Sequence, residues 1–104
     1  MPTTPLTGAE LDSALTGLPG WSVQASSLTA TFKADRSAVP GLYAAVAAAE
    51  DDANHHARIE ILYGTISFAL NTHDAEGAIT AKDTALAARI SALAAQQGAQ
   101  NAAG

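Results

Sequence analysis

The spacing of apolar and polar residues changes several times along the chain, and each change marks an element. Thr7 to Glu10 reads T-G-A-E, the spacing of a capping box, with Leu6 before the cap and Leu11 in the first turn as a hydrophobic staple. This predicts a helix from about Gly8 to Thr16 with Leu11, Leu15 and Leu18 facing inward, stopped by Gly17, Pro19 and Gly20. The period then falls to two. Trp21 and Val23 alternate with polar neighbours, as do Leu28, Ala30 and Phe32, which predicts two half-buried strands joined by a tight turn. From Ser37 to about Ala53 the period is helical again, through Val39, Leu42, Tyr43, Val46, Ala49 and Ala53. Pro40 fits in the first turn of this helix. Asp51 and Asp52 fall in its last turns, where the helix dipole disfavours anions and some compensation is needed.

Residues 57–72 carry the clearest alternation. Ile59, Ile61 and Tyr63 precede Gly64-Thr65, and Ile66, Phe68 and Leu70 follow it, as expected for a hairpin turning at Gly64-Thr65. In that register Tyr63 faces Ile66, Ile61 faces Phe68 and Ile59 faces Leu70, with all six side chains on one face. Extended to the open end, the same ladder sets His56 opposite His73, with Cβ atoms roughly 5 Å apart. Thr80 to Asp83, T-A-K-D, is a second capping-box-like start, and Leu86, Ile90 and Leu93 form a narrow stripe on a helix running to about Gln97. Residues 1–5 and 98–104 are expected to fray.

The order α-β-β-α-β-β-α with hairpin-linked strands predicts the α+β class, a four-stranded antiparallel sheet with helices on one face. With 104 residues the chain is one domain with a thin core, which favours self-association. The net charge of −5 and the five scattered basic residues, without a basic run, argue against direct nucleic-acid binding. Without cysteine there is no disulfide framework and no thiolate chemistry. The start M-P-T-T-P-L-T is not a signal peptide and no run reaches membrane-spanning length, so the expected location is cytoplasmic.

Chemistry is concentrated in one region. Residues 50–56 read E-D-D-A-N-H-H, and the third and last histidine follows in N-T-H-D. Imidazoles titrate near neutrality, so one can donate a proton while another accepts one, with a carboxylate to orient a ring. Three histidines could also ligate zinc, although adjacent side chains diverge and rarely meet on one metal. The pair has a non-catalytic reading too, as a polar helix end favoured by the dipole. Asp83 reads as a first-turn capping residue, and Asn54 as a helix end.

These residues resemble the signature of the pterin-4a-carbinolamine dehydratases: Asp51, His55-His56, the aromatic Tyr63, Thr72-His73 and Asp83, in that order. L-T-G-A-E-L, L-P-G-W and L-T-A-T-F look like the family's opening, so the resemblance spans about residues 6 to 95. It implies a lyase that removes water from 4a-hydroxytetrahydropterin to give quinonoid dihydropterin, recycling the pterin of aromatic amino acid hydroxylases. No metal or bound cofactor is implied. By position His55 and His73 would be the acid–base residues, and Asp51 would orient or polarise a histidine. His56 would bind substrate, with Thr72, Asp83 and Asn54 around the substrate site. The resemblance also implies a homodimer or homotetramer. The chain departs from the family pattern at Ala57, where Pro is usual, and at Ile59, where Trp is usual. The G-A-I-T stretch is one residue longer than usual. Relatives that act as dimerisation partners of transcription factors or as Rubisco assembly factors supply the alternative, a non-catalytic interaction protein.

Overall fold

The computed structural model describes residues 4–102. The elements run α1 (Gly8–Thr16), β1 (Ser22–Gln24), β2 (Ser27–Lys33), a 3-10 turn (Arg36–Ala38), α2 (Val39–Ala53), β3 (Arg58–Leu62), β4 (Thr65–Leu70), a second 3-10 turn (His73–Ala75), α3 (Ala81–Gln96) and β5 (Gln100–Asn101). The expected α+β class and element order hold, with one strand added. The strands pair antiparallel in the order β1-β2-β4-β3, and β5 pairs with β2.

Both helix-start motifs form. The Thr7 hydroxyl accepts the Glu10 N–H at 3.1 Å and the Glu10 carboxylate accepts the Thr7 N–H at 2.9 Å. Thr80 and Asp83 make the same reciprocal pair at the start of α3. The core lies between the sheet and the helices. Leu28, Ala30 and Phe32 of β2 face Leu70, Phe68 and Ile66 of β4 in register, and all six are buried. Leu42, Val46 and Ala49 of α2 and Leu86, Ala87, Ile90 and Ala94 of α3 close this layer. Trp21, Phe32 and Phe68 form an aromatic cluster with ring centroids 6.0–6.4 Å apart. The Trp21 indole N–H donates to the Ser91 hydroxyl at 2.7 Å, which satisfies the one polar atom of this buried side chain. The stripe on α2 is narrower than expected, because Tyr43 and Ala53 face solvent.

Two further expectations fail. The β3–β4 turn is centred on Tyr63-Gly64, and the register is Ile61↔Ile66 and Ile59↔Phe68, two residues from the expected one. The even shift keeps Ile59 and Ile61 on the expected face, since side chains alternate with period two. Its cause is tertiary. Tyr63 adopts a left-handed φ of 52°, the Ala34 N–H donates to the Gly64 carbonyl at 2.9 Å, and Arg36 donates to the Tyr63 carbonyl at 3.2 Å. The loop after β2 therefore sets where the hairpin turns. The chain end is the second correction: residues 100–101 do not fray but pair with Phe32 and Lys33, and the Ala102 N–H donates to the Thr31 carbonyl at 2.8 Å. At the other end, Pro5 bridges Thr80; residues 1–3 and 103–104 lie outside the described residues.

Gly64 is required by crowding. A Cβ at this position would lie 2.6 Å from the Ala34 carbonyl oxygen, a backbone atom. Gly64→Ala is expected to cost about 1–3 kcal/mol, measured by urea denaturation. A loss below about 0.5 kcal/mol would show that the turn shifts without penalty and does not fix the register.

Candidate active site

The site forms where the C-terminus of α2, the end of β4 and the start of α3 meet. Asn54 ends α2 in a left-handed conformation, φ 50° and ψ 45°, which Asn tolerates better than most residues. Its N–H donates to the Asp51 carbonyl at 3.2 Å, and the His55 N–H donates to the Glu50 carbonyl at 3.0 Å. This pair of bonds is a Schellman motif with His55 as its last residue, so the helix terminus itself directs His55 back into the protein.

His55 is 9% exposed and its Nε2 lies 2.5 Å from Oδ1 of Asp83, which has no exposed surface. The other carboxylate oxygen, Oδ2, accepts the Thr72 hydroxyl and the Thr80 N–H, each at 2.8 Å. The Thr72 proton is thereby committed, so the 2.6 Å contact between the two threonine hydroxyls runs from Thr80 to Thr72. An acceptor-only carboxylate requires His55 to donate from Nε2, which leaves Nδ1 with the lone pair in the neutral ring. Asp83 thus caps α3 with one oxygen and holds an imidazole with the other.

His56 lies outside this network. It is 59% exposed, and its Nε2 sits 3.2 Å from Oδ1 of Asp51, itself 81% exposed. His73 is exposed at the start of the 3-10 turn that follows β4. The expected meeting of His56 and His73 across the hairpin does not occur. The ladder ends at Arg58↔Ala69, and continuing it two residues brings His56 opposite Asn71. The three imidazoles nevertheless line one cleft of about 340 Å³, together with Asn54, Asn71, Asp74 and Lys82. Asp83 and Thr72 lie behind His55, and Asp51 is bonded to His56. Among the described residues, no group of three or more His, Cys, Asp or Glu side chains is placed to hold a metal ion.

The chain has matches among known proteins. The family model described as Pterin 4 alpha carbinolamine dehydratase matches residues 4–93. This chain belongs to the pterin-4a-carbinolamine dehydratase family. A protein of Streptomyces coelicolor, provisionally named a pterin-4-alpha-carbinolamine dehydratase, is 38% identical over 100 residues, covering 95% of this chain and 99% of its own. One from Chloroflexus aurantiacus with the same provisional name is 40% identical over 86 residues, covering 82% and 91%. The crystal structure of a transcriptional coactivator/pterin dehydratase from Brucella melitensis superposes with a TM-score of 0.82 at 30% identity, covering 88% of this chain and 99% of that one.

Around this candidate site, sequence reasoning missed the structural roles of Asn71 and Glu50. The Asn71 amide donates to the carbonyls of Ser26 and Gly77, each at 2.8 Å, and accepts the Ser27 hydroxyl at 2.7 Å. It ties the β1–β2 turn to the loop carrying His73. Its only sequence signal was adjacency to Thr72-His73. Glu50 is 6% exposed despite its charge, and its carboxylate accepts the Ala57 N–H at 2.5 Å. Tyr63, which the family resemblance brought in, stands 76% exposed at the hairpin turn and is not part of the cleft. Asp52 pairs with Arg89 of α3 at 3.0 Å, a partial compensation for an anion at a helix C-terminus. No helix among the described residues is long and apolar enough to cross a membrane.

Replacing Asp83 by Ala would strand the His55 and Thr72 protons and the Thr80 N–H. The expected loss of stability is about 3 kcal/mol, read from urea denaturation. A loss under about 1 kcal/mol would mean that the buried network does not hold this corner.

Proposed function

We propose that the protein is a lyase that dehydrates 4a-hydroxytetrahydropterin to quinonoid dihydropterin. One base removes the proton on ring nitrogen 5, the electron pair forms the N5–C4a double bond, and an acid protonates the departing 4a-hydroxyl, which leaves as water. No redox partner, metal or bound cofactor enters this balance. The observation that carries the reading is the convergence of His55, His56 and His73 on one cleft, with a buried carboxylate on His55. The match to the family over residues 4–93 supports it.

His55 and His73 exchange the protons. Asp83 holds the His55 ring in one tautomer, and Thr72 holds Asp83. His56 binds substrate and is oriented by Asp51, while Asn54 forms part of the rim. Ala57 and Ile59 line the adjoining cleft beside His56 and Tyr43. With Ile59 where the family usually has Trp, and Ala57 where it has Pro, pterin binding is weaker or its specificity wider. The reaction recycles the pterin of an aromatic amino acid hydroxylase in the cytoplasm.

His73→Ala is expected to lower turnover by about 10²-fold or more with an unchanged circular dichroism spectrum. A near-wild-type rate would remove His73 from the mechanism.

A second reading is favoured by the outer edge of β3. This strand ends the sheet, and Leu62 and Tyr63 at its tip are 80% and 76% exposed. An unpaired strand edge with apolar side chains invites strand pairing. The Brucella relative is named a transcriptional coactivator as well as a pterin dehydratase. We infer a homodimer or homotetramer that uses this edge, together with a helix face. Sedimentation at micromolar concentration is expected to give an oligomer; a stable monomer would contradict it.

A further inference from the structure

Glu50 is the buried ionisable residue that the dehydration scheme leaves unused. It is 6% exposed, and none of the ion pairs among the described residues involves it. Its two polar ends bracket the histidine pair. The backbone carbonyl accepts the His55 N–H at 3.0 Å, and the side-chain Oε2 accepts the Ala57 N–H at 2.5 Å. One residue on the last turns of α2 therefore fixes the main chain immediately before and immediately after His56. Glu50 also lines the cleft on the β3 side of His56 with Tyr43, Ala57, Ile59 and Ile61. A carboxylate accepting a backbone N–H makes a stronger bond than a neutral acceptor, and this one is shielded from water. Burying a carboxylate is costly without such a partner, so its position needs the Ala57 donor.

We propose that Glu50 is a positioning residue for the reaction, clamping the α2–β3 corner so that the His55 and His56 rings keep their aim into the shared cleft. This rests on the dehydratase reading for its kinetic consequence but not for its structural one. A clamp acts on the transition state more than on substrate capture, because small misplacements of reacting groups cost rate.

The test is a cycle of variants at Glu50 and Ala57, read by steady-state kinetics and by NMR of the histidine ring resonances. Glu50→Ala is expected to lower kcat by about ten-fold or more with little change in KM, and to shift the His55 and His56 ring signals. Glu50→Gln keeps an acceptor oxygen and is expected to recover most of the rate. Ala57→Pro removes the N–H that the carboxylate serves and stiffens the corner. In that background Glu50→Ala is expected to lose no further rate. If Glu50→Ala alone does not fold, the double variant decides: wild-type ring signals in it support the clamp, and their absence overturns it. If the wild-type protein shows no turnover, the dehydratase reading fails and the ring signals alone judge the clamp. Unchanged kcat and ring signals in Glu50→Ala would overturn the proposal, as would an equal effect of Glu50→Ala with and without Ala57→Pro.

Discussion

The Asp83 carboxylate has no exposed surface, and every group around it must donate a hydrogen bond if it is to stay ionised there. The Thr80 N–H, the Thr72 hydroxyl and the His55 ring meet that demand, and they come from the start of α3, the residue pair after β4 and the corner after α2. Three segments distant in sequence are thus pinned to one atom pair. The proposed chemistry depends on the same constraint, because it fixes which nitrogen of His55 carries the proton and which is free to act.

Around this buried centre the site becomes progressively more open. The Schellman motif at the end of α2 sends His55 inward and leaves His56 at the surface with Asp51. Beyond β4, Asn71 holds the loop that bears His73. One imidazole is therefore rigid and desolvated, while two are accessible. The proposed proton transfer uses both kinds: the fixed His55 and the exposed His73 to exchange protons, and the exposed His56 to meet the substrate.

Much of this was legible in the sequence. Both capping boxes predicted helix starts that the structure keeps, and the alternation of Leu28–Phe32 and Ile66–Leu70 predicted the two central strands that carry the core. The histidines were identified as a cluster by their confinement to two short stretches. The hairpin register was not legible, because the left-handed Tyr63 is stabilised by the loop at Ala34 and Arg36, and a two-residue shift leaves the apolar pattern intact. The proximity of the histidines was anticipated, but for the wrong reason: they share a cleft through the helix end and the 3-10 turn, not through cross-strand pairing. Asp83 read as either a cap or a site residue; one of its oxygens caps α3 and the other meets the His55 ring. Glu50 was noticed only as one of the carboxylates before the histidine pair; its burial was not legible, because a pattern of apolar positions treats any carboxylate as solvent-facing. The short β5 escaped because Gln100 and Asn101 have little strand propensity and pair only where β2 offers an edge.

The most direct test of the account is the rate at which freshly generated 4a-hydroxytetrahydropterin loses water, followed by absorbance with and without the purified protein and in the presence of EDTA. The account predicts an acceleration that survives EDTA, since protons move between imidazoles and substrate without a metal. No acceleration over the spontaneous reaction would contradict it and would leave the exposed β3 edge, not the histidine cleft, as the working surface of the molecule.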